Sequence, residues 1–398
     1  MAKNRVIHNI NIIITTKIIK RKKELYMKFT IAKNVILENL VNVSKAISTK
    51  NIIPILNGIK FELNEDGLFL TASDSELTIK TFIDKSDIKE LESKGTIIVQ
   101  SKFIVDIIRK MPLDLINFEV LDGFKIRISA GSSEYNLNCF DPSEYPSVKL
   151  EEHKNPIILN SNVFKNIISQ TVFAISSQEL RPLLTGINLK ISGDILECIA
   201  TDSYRLAKKT IVLSESVPED INIVIPGKNI LELDKILTED KPLEVHIFNN
   251  KILFKYNNII FQSNLLAGTY PNTSNLIPTE FTIMLNASLK EYFDAIDRAA
   301  LLTESKDKNI VKMHLEKNNL TITSFASEIG KVEEKLVVES NTDEILDISF
   351  SARYMLDALK TFKDDQILIL LNGEVKPIVI KSTADESLIQ LILPIKTY

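Results

Sequence analysis

The sequence has few of the residues from which redox, metal and nucleotide sites are usually built. It contains two cysteines, Cys139 and Cys198, no tryptophan and only 11 glycines in 398 residues. Each cysteine stands alone in a strand-like apolar segment, which predicts reduced core residues in a reducing cytosol rather than a disulfide or a metal site. The shortage of glycine and tryptophan argues against nucleotide-cradling loops and sugar-stacking platforms.

The motifs of common enzymes are missing as well. The four histidines are His8, His153, His246 and His314. They are scattered, without a partner at metal-ligand spacing, and the sequence has neither a Gly-x-x-x-x-Gly-Lys-Ser/Thr loop nor a Gly-x-Gly-x-x-Gly fingerprint. A hydrolase using Asp74 or Asp202 with Ser75 or Ser203 is an alternative, but no base can be identified for it. We therefore expect no enzyme, no cofactor and no metal.

One strand-to-helix pattern recurs along the chain at a nearly fixed period. Ile31, Leu159 and Leu285 lie in the three predicted strands that precede the first set of helices. They are 128 and 126 residues apart. The basic residues that open a second set of helices are Lys102, Lys228 and Arg353, at spacings of 126 and 125. A repeat of about a domain's length predicts three copies of one fold. We place the domains at residues 27–150, 151–277 and 278–398.

Residues 1–26 stand outside this repeat. They carry seven Lys and Arg residues against one acid, Glu24. Their apolar run, residues 10–14, is too short to span a membrane, and the heaviest charge follows it, unlike in a signal peptide. The pattern favours an unstructured basic extension over a membrane-surface or nucleic-acid arm, with Met27 as an alternative start.

Positive charge is concentrated in the helices. Residues 27–398 have a net charge of −10, but the six repeat helices together carry +5 and the remainder −15. This asymmetry predicts a polyanionic partner that contacts the helices. The competing interpretation is that Lys and Arg simply favour helices.

The segments between the helices have the alternation of β-strands. Short runs such as residues 58–63 end at turn signals such as Asn64-Glu65-Asp66-Gly67, which indicates antiparallel sheets. Each repeat combines two helices with such sheets, so we predict an α+β fold with the helices on one sheet face. If two arcs of three domains close into a ring, the charge distribution favours helices on the inside.

Several stretches resemble one known family, that of the bacterial DNA polymerase III beta subunits, the beta sliding clamps. They lie at residues 27–31, 54–58, 201–207, 270–272 and 393–395. The most specific is the Thr-Asp-x-x-Arg-Leu sequence that begins at Thr201. The resemblance covers residues 27–398.

The resemblance implies three repeated DNA-clamp domains in a chain that dimerises head-to-tail into a closed ring. Such a ring encircles double-stranded DNA without reading its sequence, and it tethers the replicative DNA polymerase, the clamp loader and other clamp-motif proteins. It implies a cytoplasmic protein with no catalysis, no cofactor and no membrane contact. The alternative is a monomeric, sequence-independent nucleic-acid-binding scaffold.

The resemblance also implies three groups of functional residues. Those expected to face DNA are Lys50, Lys102, Gln178, Arg181 and Lys228. Those expected to form an apolar groove for partner peptides are Leu184, Thr201, Ser203, Tyr204, Arg205, Leu206, Pro271, Asn275, Leu276, Pro377, Ile392, Leu393, Pro394 and Ile395. Those expected at the dimer interface are Ile107, Met111, Tyr135, Leu137, Leu301 and Leu302.

Three positions depart from the pattern of some family members. Pro182-Leu183 stands where some members have two tyrosines, and Tyr204 and Asn275 replace a histidine and an arginine. The first departure affects the expected aromatic contact with DNA, and the other two affect which partners the groove prefers.

Overall fold

The computed structural model describes residues 26–48, 51–178, 180–303 and 309–396. Within these ranges the chain forms six α-helices, two in each sequence repeat. They are α1 Lys33–Ser44, α2 Ser101–Lys110, α3 Ser161–Thr171, α4 Gly227–Asp234, α5 Leu289–Ala300 and α6 Ala352–Leu359. The two helices of each repeat pack against each other. None of the helices in the described part of the chain is both long and apolar enough to cross a membrane.

Strands make up most of the remaining regular structure. In the first repeat they are β1 Lys28–Ala32, β2 Gly58–Leu63, β3 Gly67–Ser73, β4 Leu77–Asp84, β5 Ile88–Ser93, β6 Gly95–Gln100, β7 Leu115–Leu121, β8 Lys125–Ala130 and β9 Ser133–Phe140. In the second they are β10 Ile157–Asn160, β11 Gly186–Ser192, β12 Ile195–Thr201, β13 Arg205–Val212, β14 Ile221–Pro226, β15 Pro242–Ile247, β16 Lys251–Tyr256 and β17 Ile259–Asn264. In the third they are β18 Ile283–Ser288, β19 Ile310–Glu316, β20 Asn319–Ala326, β21 Gly330–Val337, β22 Glu339–Ser340, β23 Leu346–Ser351, β24 Gln366–Leu371, β25 Ile378–Ser382 and β26 Leu388–Ile392.

The chain folds into two compact units. The first comprises the described residues up to Pro156 together with Lys241–Asn264. Its strands follow the order β15-β16-β17-β4-β3-β2-β6-β9-β8-β7-β1-β5, and β17 pairs with β4 in antiparallel register, with Phe261 opposite Ile79. Phe29 and Phe118 stack in its core with ring centroids 4.8 Å apart. Burial of such aromatic and aliphatic side chains supplies the main favourable free energy of folding.

The second unit comprises the described residues within Ile157–Asp240 and Leu265–Tyr398. One sheet runs β14-β11-β12-β13-β26-β25-β24-β18-β22, and a smaller sheet runs β21-β20-β19-β23. Strand β13 of the second repeat pairs with β26 of the third, with Leu206 opposite Leu391. The pairing draws one continuous sheet from two repeats. The predicted α+β class with antiparallel sheets is confirmed.

Three of the four helices described in the second unit, α3, α5 and α6, begin with a side-chain cap. Asn160 accepts hydrogen bonds from the backbone N–H groups of Asn162 and Val163 at the start of α3. Ser288 and Ser351 do the same for α5 and α6 through Glu291 and Tyr354. Each cap satisfies an N–H group that the first helical turn leaves without a partner. These caps fix where each strand ends and its helix begins.

A histidine pair fastens the segment before Pro156 to strand β15. The backbone N–H of His153 donates to Nδ1 of His246 at 2.8 Å, and Nε2 of His153 lies 2.8 Å from the carbonyl oxygen of Ile247. The His153 ring also stacks on Phe248, with centroids 4.2 Å apart. Because Nδ1 of His246 accepts a hydrogen bond, the proton of its neutral ring lies on Nε2, 3.5 Å from the Glu244 carboxylate.

The same cluster contains residue types that bind metal ions, but their ion pairs and protonation do not suit a metal ion. Glu152, Glu244 and His246 hold possible ligand atoms within 4.8 Å of one another. The Lys255 ammonium already lies 2.9 Å from Glu152 and 3.9 Å from Glu244. A protonated Nε2 has no lone pair for a metal ion. The arrangement therefore fits a buried histidine with an adjacent ion-pair network.

We expect the first unit to lose stability as the pH falls below 6.5, the ordinary pKa of histidine. Burial lowers the pKa of His246, outweighing the opposite effect of Glu152 and Glu244, so near that pH the folded chain binds fewer protons than the unfolded chain. The stabilisation is complete above pH 6.5 and is lost as the pH falls through the lowered pKa. Urea unfolding, followed by circular dichroism at about pH 7.5 and about pH 5.5, measures the effect. The difference in unfolding free energy between the two pH values should be smaller in His246→Gln. An equally large difference in that variant would contradict the role of His246.

Candidate functional site

A large apolar cavity opens on the second unit. Its volume is about 630 Å³. It is lined by Arg181, Pro182, Leu183, Leu184, Thr201, Ser203, Arg205, Leu206, Pro271, Thr273, Leu276, Pro377, Leu391 and Leu393. A concave, largely apolar surface with a few polar groups is typical of a ligand or peptide site. We call this cavity the groove.

The groove has a buried floor and an exposed rim. Leu184, Leu206 and Leu391 are buried, and the pairing of β13 with β26 places the last two opposite each other. At the rim, Leu276 is 50% exposed and Leu393 is 38% exposed. These rim leucines leave apolar area in water that an extended apolar peptide would cover.

A tight turn before β13 shapes one end of the groove. Ser203 has a φ of 77°, and its backbone N–H donates to Oγ1 of Thr201 at 3.1 Å. Oδ1 of Asp202 accepts from the backbone N–H groups of Tyr204 and Arg205 at 2.9 and 3.0 Å. The Thr-Asp-x-x-Arg pattern is therefore the chemistry of a turn stabilised by its own side chains.

Arg205 is locked at the floor of the groove. Only 8% of its surface is exposed, its Nε lies 3.1 Å from Asp202 and its Nη1 lies 2.7 Å from Asp357. The guanidinium also covers the ring of Tyr354, 4.5 Å from the ring centroid. Paired on both sides, Arg205 holds the groove wall in place and has little capacity left for a ligand carboxylate.

The hydrolase alternative is weakened by the repetition of this turn in the first unit. Ser75 also has a φ of 77°, and Oδ1 of Asp74 accepts from the backbone N–H groups of Glu76 and Leu77. The Asp-Ser pairs at residues 74–75 and 202–203 thus occupy equivalent turn positions. Their carboxylates bind backbone amides rather than the neighbouring serine hydroxyls, as a base for nucleophilic catalysis would have to do.

Tyr270 fastens the strand end behind the groove. It is 5% exposed, and its hydroxyl accepts the backbone N–H of Thr201 at 3.1 Å. Burial raises the pKa of Tyr270 well above its usual value of 10.0. The ring thus stays neutral at physiological pH and supports the turn.

The structure brings most of the expected groove residues together. Nine of them line the groove: Leu184, Thr201, Ser203, Arg205, Leu206, Pro271, Leu276, Pro377 and Leu393. Five do not line it: Tyr204, Asn275, Ile392, Pro394 and Ile395. Ile392 points into the core with 0% exposure, and Tyr204 stacks outside on Tyr354 at 6.4 Å. The backbone N–H of Ile395 donates to the backbone carbonyl oxygen of Ser349 at 2.7 Å.

Sequence reasoning missed five lining residues. They are Arg181, Pro182, Leu183, Thr273 and Leu391. Leu391 could have been found, because strand alternation puts it on the same side as Leu393 and opposite to Ile392. Arg181 was expected to face DNA, and its Nη1 donates to Oγ of Ser203 at 3.1 Å, on the groove rim.

The other residues expected to face DNA are distributed over both units. Lys50 lies outside the described residues. Lys102 is exposed in the first turn of α2, where its ammonium lies 5.1 Å from the ring centroid of Phe103. Lys228 and Gln178 are exposed in the second unit. All three remain accessible to a polyanion.

The residues expected at the dimer interface differ in exposure. Leu301 is 79% exposed and Tyr135 is 41% exposed. Ile107, Leu137 and Leu302 are partly buried. Met111 is 3% exposed and belongs to the core of the first unit. Contact with another copy would therefore depend on the exposed members of this group.

Comparison with known proteins assigns the chain. Three family models match in succession: the N-terminal, central and C-terminal domains of the DNA polymerase III beta subunit, over residues 27–149, 158–272 and 274–396. The beta sliding clamps of Bacillus subtilis and Staphylococcus aureus are 41% and 38% identical to it, each over 94% of this chain and 100% of the relative. The crystal structure of the DNA polymerase sliding clamp from Bacillus subtilis superimposes with a TM-score of 0.91 at 40% identity, over 94% of this chain and 100% of that one. The chain belongs to the family of DNA polymerase III beta subunits, the beta sliding clamps.

Proposed function

We propose that this protein is a DNA sliding clamp that acts in the cytoplasm without catalysis of its own. Two copies join head-to-tail in a ring around double-stranded DNA, and the groove tethers the replicative polymerase, the clamp loader and other partners. Domain boundaries at residues 27–150, 151–277 and 278–398 accompany this proposal. The observation that carries it is the groove, a 630 Å³ apolar cavity on a fold whose relatives are named sliding clamps.

The proposed contact with DNA is electrostatic and independent of sequence. Lysines and arginines on the helices attract phosphates, and the attraction grows with the number of phosphates neutralised. The helical segments predicted from the sequence carry +5, but the helices α1–α6 within their observed bounds carry only +1. The attraction is therefore modest and suits a protein that must move along its ligand. In α5 the cations have neighbours of opposite charge, because Lys290 lies 2.5 Å from Asp294 and Arg298 lies 2.7 Å from Glu334. The proposed contacts are the exposed residues Lys102, Gln178, Arg181 and Lys228, with Lys50 as a further candidate.

Lys102→Glu combined with Lys228→Glu should weaken DNA binding at low salt. If each lysine neutralises one phosphate, the slope of log K against log salt should become shallower by about 2. Fluorescence anisotropy of a labelled duplex across a salt series measures the slope. Lys125→Glu with Lys317→Glu, two exposed lysines beside strand turns, provides the matched control. An unchanged slope in the helix variant, or an equal loss in the control, would mean that the helices do not face DNA.

Ring closure is proposed to join the first repeat of one copy to the third repeat of another. Strand β21 lies at the edge of its sheet, and β9 pairs with β6 only through Cys139 and Phe140. Both strands thus present backbone groups that can pair with a second chain. Leu301 supplies exposed apolar area in the third repeat.

Leu301→Asp should shift the protein from dimers to monomers without unfolding it, because the side chain is 79% exposed in one copy. A charge at an apolar interface must be desolvated without a partner, which raises the dimer dissociation constant. Analytical ultracentrifugation over a concentration series gives the constant. Ile345→Asp, at a residue 64% exposed, is the control. If both variants remain dimeric at the same concentrations, the interface lies elsewhere.

The groove is proposed to bind an extended peptide with apolar anchors. Its buried leucines form pockets and its prolines, Pro182, Pro271 and Pro377, form stiff walls. A preformed cavity needs little reorganisation on binding, which favours affinity from a short segment. Because Arg205 is already paired, the anchors rather than an acidic group should supply most of the affinity.

A further inference from the structure

Two of the three repeats close the end of their second helix with a lysine from their first helix. Lys33, the first residue of α1, donates its ammonium to the carbonyl oxygen of Met111 at 2.7 Å, directly after α2. Lys165, the fifth residue of α3, donates to the carbonyl oxygen of Asp234 at 2.7 Å, at the last residue of α4. The last carbonyl groups of a helix lack helical partners and carry partial negative charge. A lysine ammonium therefore stabilises this end in both repeats, from two different positions.

The third repeat has the same backbone hydrogen bond at the start of its first helix, but it has no lysine at either of these two positions. The backbone N–H of Leu289 donates to the backbone carbonyl oxygen of Asp365 at 2.9 Å, as that of Lys33 donates to the backbone carbonyl oxygen of Asp114 at 2.7 Å. Leu289 is thus the counterpart of Lys33, and Phe293, the fifth residue of α5, is the counterpart of Lys165. Neither side chain has a hydrogen-bond donor.

A cleft of about 530 Å³ lies at this place. It is lined by Ser288, Leu289, Lys290, Phe293, Asp294, Leu359, Lys360, Phe362, Lys363, Asp364, Asp365 and Gln366. The two leucines and two phenylalanines give it apolar walls. The carbonyl groups of Leu356, Ala358 and Leu359 at the end of α6 already accept backbone N–H groups. The lining residue Phe362 precedes Asp365 by three positions, as Met111 precedes Asp114, so its carbonyl group is the counterpart of the one that Lys33 contacts. Two of its lysines have other partners: Lys290 lies 2.5 Å from Asp294, and Lys363 donates to Asn166 at 3.1 Å.

We propose that this cleft binds a lysine side chain of a partner protein. The alkyl stem packs against Leu289 and Phe293, and the ammonium donates to the carbonyl group of Phe362, the counterpart of Met111, beside Asp364 and Asp365. The walls suit a four-carbon stem, which lysine buries readily while its charge finds acceptors. The bound side chain would occupy the place that Lys33 and Lys165 fill in the other repeats. The cleft is separate from the groove and shares none of its lining residues.

The test uses n-butylammonium chloride, the isolated side chain of lysine, on the full-length protein. The methyl NMR signals of Leu359 should shift saturably as n-butylammonium is added. The affinity from such a titration should be at least about tenfold weaker for n-butanol, which lacks the charged donor. Leu289→Lys supplies the counterpart of Lys33 from within the chain, so it should abolish the shift and raise the thermal midpoint. Leu231→Lys, at an exposed leucine of α4, should do neither.

Three outcomes would overturn the proposal. Equal shifts with n-butanol would define an apolar cleft without cation recognition. Tighter binding of n-butylguanidinium would assign the cleft to arginine. Weaker binding of n-butylammonium in Lys360→Met would show that this exposed lysine assists binding, whereas we expect its positive charge to compete with the bound cation. Binding at least as tight in Lys360→Met supports the proposal.

Discussion

Leu276→Glu combined with Leu393→Glu should lower the affinity for partner peptides by at least about 100-fold, because two apolar anchors lose their contacts and two charges must be desolvated. Both leucines lie on the groove rim and are 50% and 38% exposed, so the substitutions should leave the fold intact. The measurement is fluorescence anisotropy with a labelled peptide that carries the clamp-binding segment of the replicative polymerase from the same organism.

Val212→Glu with Ile345→Glu is the matched control for this variant. These side chains are 69% and 64% exposed and do not line the groove. The control carries the same added charge and should bind the peptide with unchanged affinity. A rim variant whose affinity stays within about threefold of the parent would place the peptide elsewhere on the protein.

Arg205→Ala should destabilise the second unit by about 3 kcal/mol, because it leaves the carboxylates of Asp202 and Asp357 without their common partner. Packing over Tyr354 is lost as well. Thermal unfolding and hydrogen exchange of strand β13 report the loss. Arg205→Met keeps much of the packing and separates it from the charge effect, and adding Asp357→Asn to Arg205→Met should recover part of the stability.

Lys290→Ala is the contrasting variant. Its ion pair with Asp294 is short, but the lysine side chain is 85% exposed, and exposed pairs contribute little to stability. We expect almost no change in unfolding. A loss at Arg205 as small as that at Lys290 would contradict the structural role of Arg205.

The sequence predicted the repeats and the fold class well because both depend on local patterns. The alternation of residues 58–63 specifies a strand, and the period of about 126 residues specifies three copies. The structure adds that β13 and β26 join in one sheet. That pairing brings together Leu206 and Leu391, which are 185 positions apart, and local patterns carry little information about it.

Some residues of the groove could likewise be predicted from local patterns, and others could not. Leu206 and Leu391 meet through strand register, and strand alternation at residues 391–393 indicates which side chains face the groove. Arg205 was expected only as one of the residues that form the groove. Its bond to Asp357 comes from a helix 152 residues away, so its role as an internal tie could not be read from the sequence around it.

Retention on circular against linear DNA tests the central claim most directly. The protein is loaded by its clamp loader onto a nicked plasmid at high salt, and the amount bound is measured by gel filtration before and after a restriction enzyme cuts the plasmid. A closed ring is held by topology, so it should stay on the circle and leave once an end is available. Equal retention on circular and linear DNA would contradict a sliding clamp and favour a monomeric binder held by charge alone.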